Sequence, residues 1–149
     1  MTKFNLSDLF EGNYPVSQKF GNNPTYAQLG ITPPQGVLPT AFYYCAYGLA
    51  GHEGTDWATQ EGVWLLVPFS KGQVLRTAYS PAYGNYIVVW DSVQRCAVWY
   101  CHMSSFSCFP GQILTRGTKV GRTGRSGNIT GPHLHVNFVE TDENANRIN

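Results

Sequence analysis

Polar and apolar side chains alternate strictly in one stretch of the chain, HLHVNF at residues 133–138. Successive side chains of a β-strand point to opposite faces, so the pattern predicts a strand with His133 and His135 on one face. The residues predicted on the other face, toward the core, are Leu134, Val136 and Phe138. Two imidazoles about 7 Å apart on a strand allow one to bind a metal while its neighbour acts on a bound substrate or water. An exposed histidine pair without a function is the alternative.

Strand signals of the same kind occur in the rest of the chain. Short β-branched and aromatic runs are separated by clusters of Gly, Pro, Asn and Ser, without apolar residues at helical spacing. Strands are predicted at 65–68, 73–79, 85–91, 97–102 and 133–140. Their close spacing predicts a mainly β fold with a single antiparallel sheet. The proline-containing segment 28–51 is predicted to be a long loop that walls a groove.

Length and charge restrict the class of protein. A chain of 149 residues has room for one core of ordinary size, so one domain over residues 1–149, acting as a monomer, is predicted. The net charge of +1 excludes the basic surface of a nucleic-acid-binding protein. No apolar stretch reaches the ~20 residues needed to cross a bilayer, so no membrane partner is expected. Asp8 and Glu11 interrupt the region where a signal peptide needs an apolar run, so no cleaved leader is expected in this chain.

The four cysteines are interpreted as structural thiols. Cys45, Cys96, Cys101 and Cys108 contain no CxxC pair, which is the spacing of zinc ribbons and redox sites. Cys96 and Cys101 lie five residues apart in a predicted strand, about 16 Å apart on opposite faces and beyond disulfide reach. A disulfide between Cys101 and Cys108 stays open.

A second histidine motif is GHEGTD at residues 51–56. It begins like the helical zinc motif HExxH, but its fifth position is Asp56, and its two glycines disfavour a helix. In an extended or bent segment His52 and Asp56 share a face, and Gly54 allows a bend that brings both to one ion. Taken alone, such a pair is more often a surface hydrogen bond than a metal site.

Taken together, the two motifs resemble the paired signatures of the lysostaphin-type, LytM-like zinc endopeptidases. The resemblance rests on GHEGTD at 51–56 and GRSGNITGPHLH at 124–135, and extends to YGNY at 83–86 and YCHMS at 100–104. It covers residues 16–140. It implies the fold of that family, one Zn²⁺ per chain, and cleavage of the peptide part of bacterial peptidoglycan outside the cytoplasm.

The resemblance also implies a role for each matching residue. The metal ligands match His52, Asp56 and His135, and the two catalytic histidines that do not bind metal match His102 and His133. Three protein ligands leave a fourth position for water, whose pKa then falls toward ~7. His133 is expected to deprotonate the water, while His102 stabilises the oxyanion or protonates the leaving amine, and the two roles are interchangeable.

Further predictions concern the residues around the metal. Asn137, two residues after His135 on the same face, is predicted to support a ligand, with an ordinary exposed Asn as the alternative. The chain departs from the family pattern at Cys101, at Met103, and at Asn137, where the family often has glutamate. The aromatic residues predicted either to line the substrate groove or to pack in the core are Tyr43, Tyr44, Tyr47, Trp57 and Tyr83.

Two other functions stay open beside the enzyme. One is a catalytically inactive wall-binding or regulatory module of the same fold, and the other is a structural zinc domain, which would need four protein ligands. The complete ligand set and two additional histidines favour the enzyme. A bacterial enzyme whose leader was removed, a bacteriophage lysin released by lysis and an antimicrobial virion-associated enzyme all fit this reading. A diaminopimelate cross-link, a lysine-type bridge and a glycine bridge all stay open as substrates.

Overall fold

The computed structural model of the protein describes residues 6–18, 25–29, 32, 35–36, 38, 54–127 and 132–148. Strands dominate this part of the chain, and its two helical elements are a 3-10 turn, Leu6–Leu9, and the short helix α1, Tyr26–Leu29. Neither is long and apolar enough to span a bilayer. The strands are β1 Val16–Gln18, β2 Thr55–Trp57, β3 Trp64–Leu66, β4 Lys71–Ser80, β5 Gly84–Asp91, β6 Cys96–Phe106, β7 Ile113–Thr115, β8 Lys119–Thr123 and β9 Leu134–Glu140.

The nine strands form one antiparallel sheet, which confirms the predicted fold class. Its order is β1-β2-β9-β6-β5-β4-β7, and β8 pairs with both β3 and β6. β6 changes partners along its length: residues 96–101 pair with β9, whereas the pairing with β8 runs from Met103 to Phe106. His102 lies at this change of partner.

All five predicted strands are present with shifted ends, as β3, β4, β5, β6 and β9. The prediction missed β1, β2 and β7, which have three residues each and are too short to show alternation. It also missed β8, because Gly121 interrupts the pattern of strand-forming residues there. Most of the predicted loop 28–51 lies outside the described residues, and residues 28–29 belong to α1.

The main core covers one face of the sheet. Its fully buried side chains include Val98, Tyr100 and Leu134, and Val136 also packs there, as the alternation in β9 predicted. The prediction was wrong for Phe138, which is 42% exposed. β2 begins at Thr55, opposite Val136, and so does not extend alongside Phe138.

The opposite face carries a smaller cluster of buried residues, and we call it the site face. Residues directly opposite each other in an antiparallel ladder share a face. Asp56 pairs with His135, and His135 pairs with Cys101, so these three form one row across β2, β9 and β6 on the site face. The buried members of the cluster are Tyr86, Val88, Ala97, Cys101 and Val139.

The cysteines whose positions are described keep their thiols. Cys96 and Cys101 are buried in β6, and Cys108 is partly buried after its end. The disulfide between Cys101 and Cys108 that the sequence left open is therefore not formed. Cys45 lies outside the described residues.

Candidate active site

Asp56 and His135 are brought together by the pairing of β2 with β9. Asp56 Oδ1 lies 2.7 Å from His135 Nδ1, and both residues are buried. They come from strands that are adjacent only in the folded sheet, 79 residues apart in sequence. His52, the third expected ligand, lies outside the described residues.

Asn137 contacts the other ring nitrogen of His135. Its Oδ1 lies 2.7 Å from His135 Nε2, and because an amide oxygen only accepts, Nε2–H is the donor. Asn137 is 2% exposed and is therefore not the ordinary surface residue of the alternative reading. Gly54 makes room for it, since a Cβ on Gly54 would lie 2.6 Å from Asn137 Oδ1.

The same contacts test whether the donor set fits a metal. With Nε2 protonated, His135 Nδ1 faces a carboxylate oxygen that also only accepts. Two such atoms 2.7 Å apart repel each other unless they share a proton or a cation. An imidazole nitrogen and a carboxylate oxygen side by side, with the imidazole oriented by a second partner, fit Zn²⁺.

The two remaining histidines lie beside this pair. His133 Nε2 is 3.8 Å from Asp56 Oδ2. The ring of His102 is 4.8 Å from that of His133 and 5.9 Å from that of His135, centroid to centroid. The structure thus brings together four of the five residues in the expected set, and the fifth is His52.

His102 is held in an unusual backbone conformation. Its φ of 58° lies in the left-handed region, which histidine enters more readily than most residues. Its N–H donates to the carbonyl of Tyr83 (2.7 Å), and its Nδ1 lies 2.7 Å from the carbonyl oxygen of Ser126. That oxygen only accepts, so Nδ1 carries the proton and Nε2 is unprotonated in the neutral ring. Burial lowers the pKa of His102 to about 4, so the ring is neutral at neutral pH.

Ser126 is fixed against the start of β5. Its Oγ accepts from the Asn85 N–H (3.0 Å) and donates to the carbonyl of Met103 (2.8 Å). Gly84 and Gly127 allow the two backbones to meet, because a Cβ on either would lie 2.3 Å from the other segment. The YGNY and GRSG motifs therefore build the support that orients His102.

The predicted groove residues divide into three groups. Trp57 packs in the main core, 5.6 Å from Phe10 between ring centroids, because it follows Asp56 in β2 and points to the opposite face. This is the core position that the sequence left open as the alternative to the groove. Tyr83 stacks on His135 with centroids 6.1 Å apart. Tyr43, Tyr44 and Tyr47 lie outside the described residues.

Trp99 and Tyr86 are aromatic residues of the site face that the sequence did not indicate as groove residues. Their rings stack at 5.4 Å with an interplanar angle of 3°, and Tyr83 contacts both edge-on. Alternation along β6 places Trp99 on the same face as Cys101, and this signal was available in the sequence.

Comparison with known proteins agrees with this geometry. The family model described as Peptidase family M23 matches residues 50–148. The peptidoglycan DD-endopeptidase ShyA of Vibrio cholerae is 34% identical over 91 residues, which are 61% of this chain and 21% of that protein. An uncharacterized metalloprotease of Haemophilus influenzae is 31% identical over 124 residues, 83% of this chain and 25% of that protein. The chain thus spans about a quarter or less of the length of these relatives.

Solved structures share the fold. A zinc-containing peptidase from Vibrio cholerae superposes with a TM-score of 0.69 at 23% identity, covering 97% of this chain and 38% of that one. The catalytic domain of lysostaphin from Staphylococcus simulans gives a TM-score of 0.66 at 22% identity, covering 87% of this chain and 83% of that one. The family model matches well over half of the sequence, and the sheet is that of its structural neighbours. The chain therefore belongs to peptidase family M23.

Proposed function

We propose that the chain is a single catalytic domain, residues 1–149, that hydrolyses peptide bonds of bacterial peptidoglycan with one Zn²⁺. The observation that carries the proposal is the side-by-side placement of Asp56 and His135, with His102 and His133 beside them. The printed activity of the Vibrio cholerae relatives supports the choice of substrate. Action as a monomer on the wall, outside the cytoplasm, is part of the same proposal.

His52, Asp56 and His135 would hold the zinc. When bound, the ion polarises the scissile carbonyl and acidifies a water molecule. Asn137 accepts from His135 Nε2 and so keeps Nδ1 as the nitrogen available to the metal. Such a partner of a metal ligand supports tighter binding without touching the ion.

His102 and His133 would handle the protons. Neutral His102 carries its proton on Nδ1, so its Nε2 can only accept, and it cannot donate to an oxyanion before it takes up a proton. We assign two steps to His102 Nε2. It accepts a proton from the attacking water, and it then delivers that proton to the leaving amine. The lowered pKa of His102 favours that delivery, because the imidazolium readily releases the proton. His133, beside Asp56 and partly exposed, then donates to the developing oxyanion, so the two histidines exchange the water and oxyanion roles first expected of them.

Metal analysis and digestion of purified wall sacculi test the proposal together. We expect about one zinc per chain and release of free amines without new reducing ends. Among the described residues of the site, Asp56 is the carboxylate, and it is not accompanied by the second one that glycoside chemistry needs. A protein that binds no zinc after dialysis against trace zinc would overturn the metal site. New reducing ends without amines would overturn the reaction, and sacculus binding without cleavage would establish the inactive wall-binding module instead.

A further inference from the structure

A row of residues on the site face connects the active site with β4. Arg76 pairs with Val88 across β4 and β5, Val88 pairs with Trp99, and Trp99 pairs with Asn137 on β9. Paired residues share a face, so Arg76 is on the same face as His135, which Asn137 contacts directly. The guanidinium thus belongs to the row next to that of the candidate metal ligands.

Aromatic rings cover the distance between the two ends of this row. Tyr83 stacks on His135 at 6.1 Å, and it meets the edge of Trp99 at 6.0 Å. Tyr86 lies against both Tyr83 and Trp99. A peptide leaving the site along this direction would lie over a continuous apolar surface.

Arg76 ends this surface with a positive charge. Its Cζ lies 5.8 Å from the centroid of the Trp99 ring, and the residue is exposed. Between the described residues, no ion pair joins Arg76 to a carboxylate. A guanidinium supported on a ring, with its fork of donors exposed, matches a carboxylate in geometry and charge.

We propose that Arg76 and Trp99 form a subsite for a free carboxylate of the peptide substrate. The assignment rests on the proposed function and adds its substrate class: a stem peptide with a charged carboxylate, rather than an uncharged glycine bridge. β4 and β9 are three strand spacings apart, about 14 Å, which an extended peptide covers with roughly four residues. The recognised carboxylate is therefore a few residues from the scissile bond and takes no part in the chemistry.

Two forms of one synthetic stem peptide test the subsite, one with free carboxylates and one with the same groups as carboxamides. The zinc-loaded parent is expected to bind the carboxylate form about tenfold more tightly by calorimetry, as one charged hydrogen-bonded pair supplies. Arg76→Gln should bind both forms equally, with the zinc content of the parent. Equal binding of both forms by the parent, or a preference that survives in Arg76→Gln, overturns the subsite.

Arg122→Gln is the matched control. Arg122 also lies over an indole, with its Cζ 4.1 Å from the Trp64 ring, but it is on β8 and outside the row. It should keep the parent's preference. Binding and cleavage are recorded separately, so the two proposals fail separately. If binding depends on Arg76 but no amines are released, the subsite is supported and the proposed hydrolase activity is contradicted. If the peptide is cleaved without a carboxylate preference, the hydrolase activity is supported and the subsite is contradicted.

Discussion

The candidate active site has two halves that are held by different kinds of atoms. In the metal half, the His135 ring is held by two side-chain oxygens, Asp56 Oδ1 at Nδ1 and Asn137 Oδ1 at Nε2. In the proton half, His102 is held by the backbone carbonyls of Tyr83 and Ser126. The first half therefore depends on which side chains are present, and the second depends on the path of the backbone. The two halves should respond differently to substitution.

The largest effect is expected in the metal half. Asp56→Ala and His135→Ala should each lose the zinc and reduce sacculus digestion to background, because a carboxylate or imidazole ligand is removed outright. Zinc content and amine release are measured on the same preparations. Should His133→Ala lose its zinc while His135→Ala keeps it, the roles of the two β9 histidines are reversed.

Removing the proton-handling side chains should separate catalysis from metal binding. His102→Ala and His133→Ala are each expected to keep about one zinc per chain and to digest walls about 10²–10⁴-fold more slowly. The double variant should be little worse than the poorer single one, because the two groups act in one transition state. Digestion at the parent rate by His102→Ala would show that its assigned role does not exist.

The backbone support of the proton half can be broken without touching a histidine. Gly127→Ala places a Cβ 2.3 Å from the Gly84 nitrogen, whereas Gly117→Ala, at nearly the same φ (81° against 85°), meets nothing within 4 Å. Both substitutions cost about 1 kcal/mol of folding free energy, because alanine is disfavoured in the left-handed region. Only Gly127→Ala must also move its own segment, which includes Ser126, away from Gly84. We expect Gly127→Ala to lose at least about tenfold in turnover with its zinc retained, and Gly117→Ala to keep the parent rate. Denaturant unfolding measures the stability of both, and equal turnover would contradict the support.

The smallest expected effect is on stability in acid. The pKa of His102 is about 4 in the folded chain and about 6.5 when unfolded, so between these values only the unfolded chain binds the proton. The contribution of neutral His102 to the free energy of unfolding is therefore complete above pH 6.5 and is lost as the pH falls toward 4. The loss should be on the order of 2 kcal/mol in metal-free protein. Asparagine also tolerates the left-handed backbone but does not titrate, so His102→Asn should lose less stability over this pH range, as measured by urea unfolding. A pH profile of stability identical to that of the parent would contradict the burial effect.

Side-chain patterns predicted some parts of this molecule and not others. Alternation placed His135 and Val136 on opposite faces of β9 because the strand is long enough to show its period. The same alternation assigns Trp57 to the core once Asp56 is placed on the site face. β2 has only three residues, however, and is too short to be recognised as a strand from its sequence. The partners of His102 were not predictable, because they are carbonyl groups that every residue carries. Only the folded path of the chain determines which carbonyl is near.

The partner change in β6 also bears on the order in which the two halves of the candidate site can form during folding. The amide of His102 bonds to Tyr83 within one hairpin, a contact that closes a short loop. The contact between Asp56 and His135 spans 79 residues and needs β9, so its loop-closure entropy is larger. A chain still being synthesised can fold the hairpin that carries His102 before residue 135 exists. A form of the domain that ends before β9 lacks His135, so under the proposed function it should neither hold the zinc nor cleave the wall.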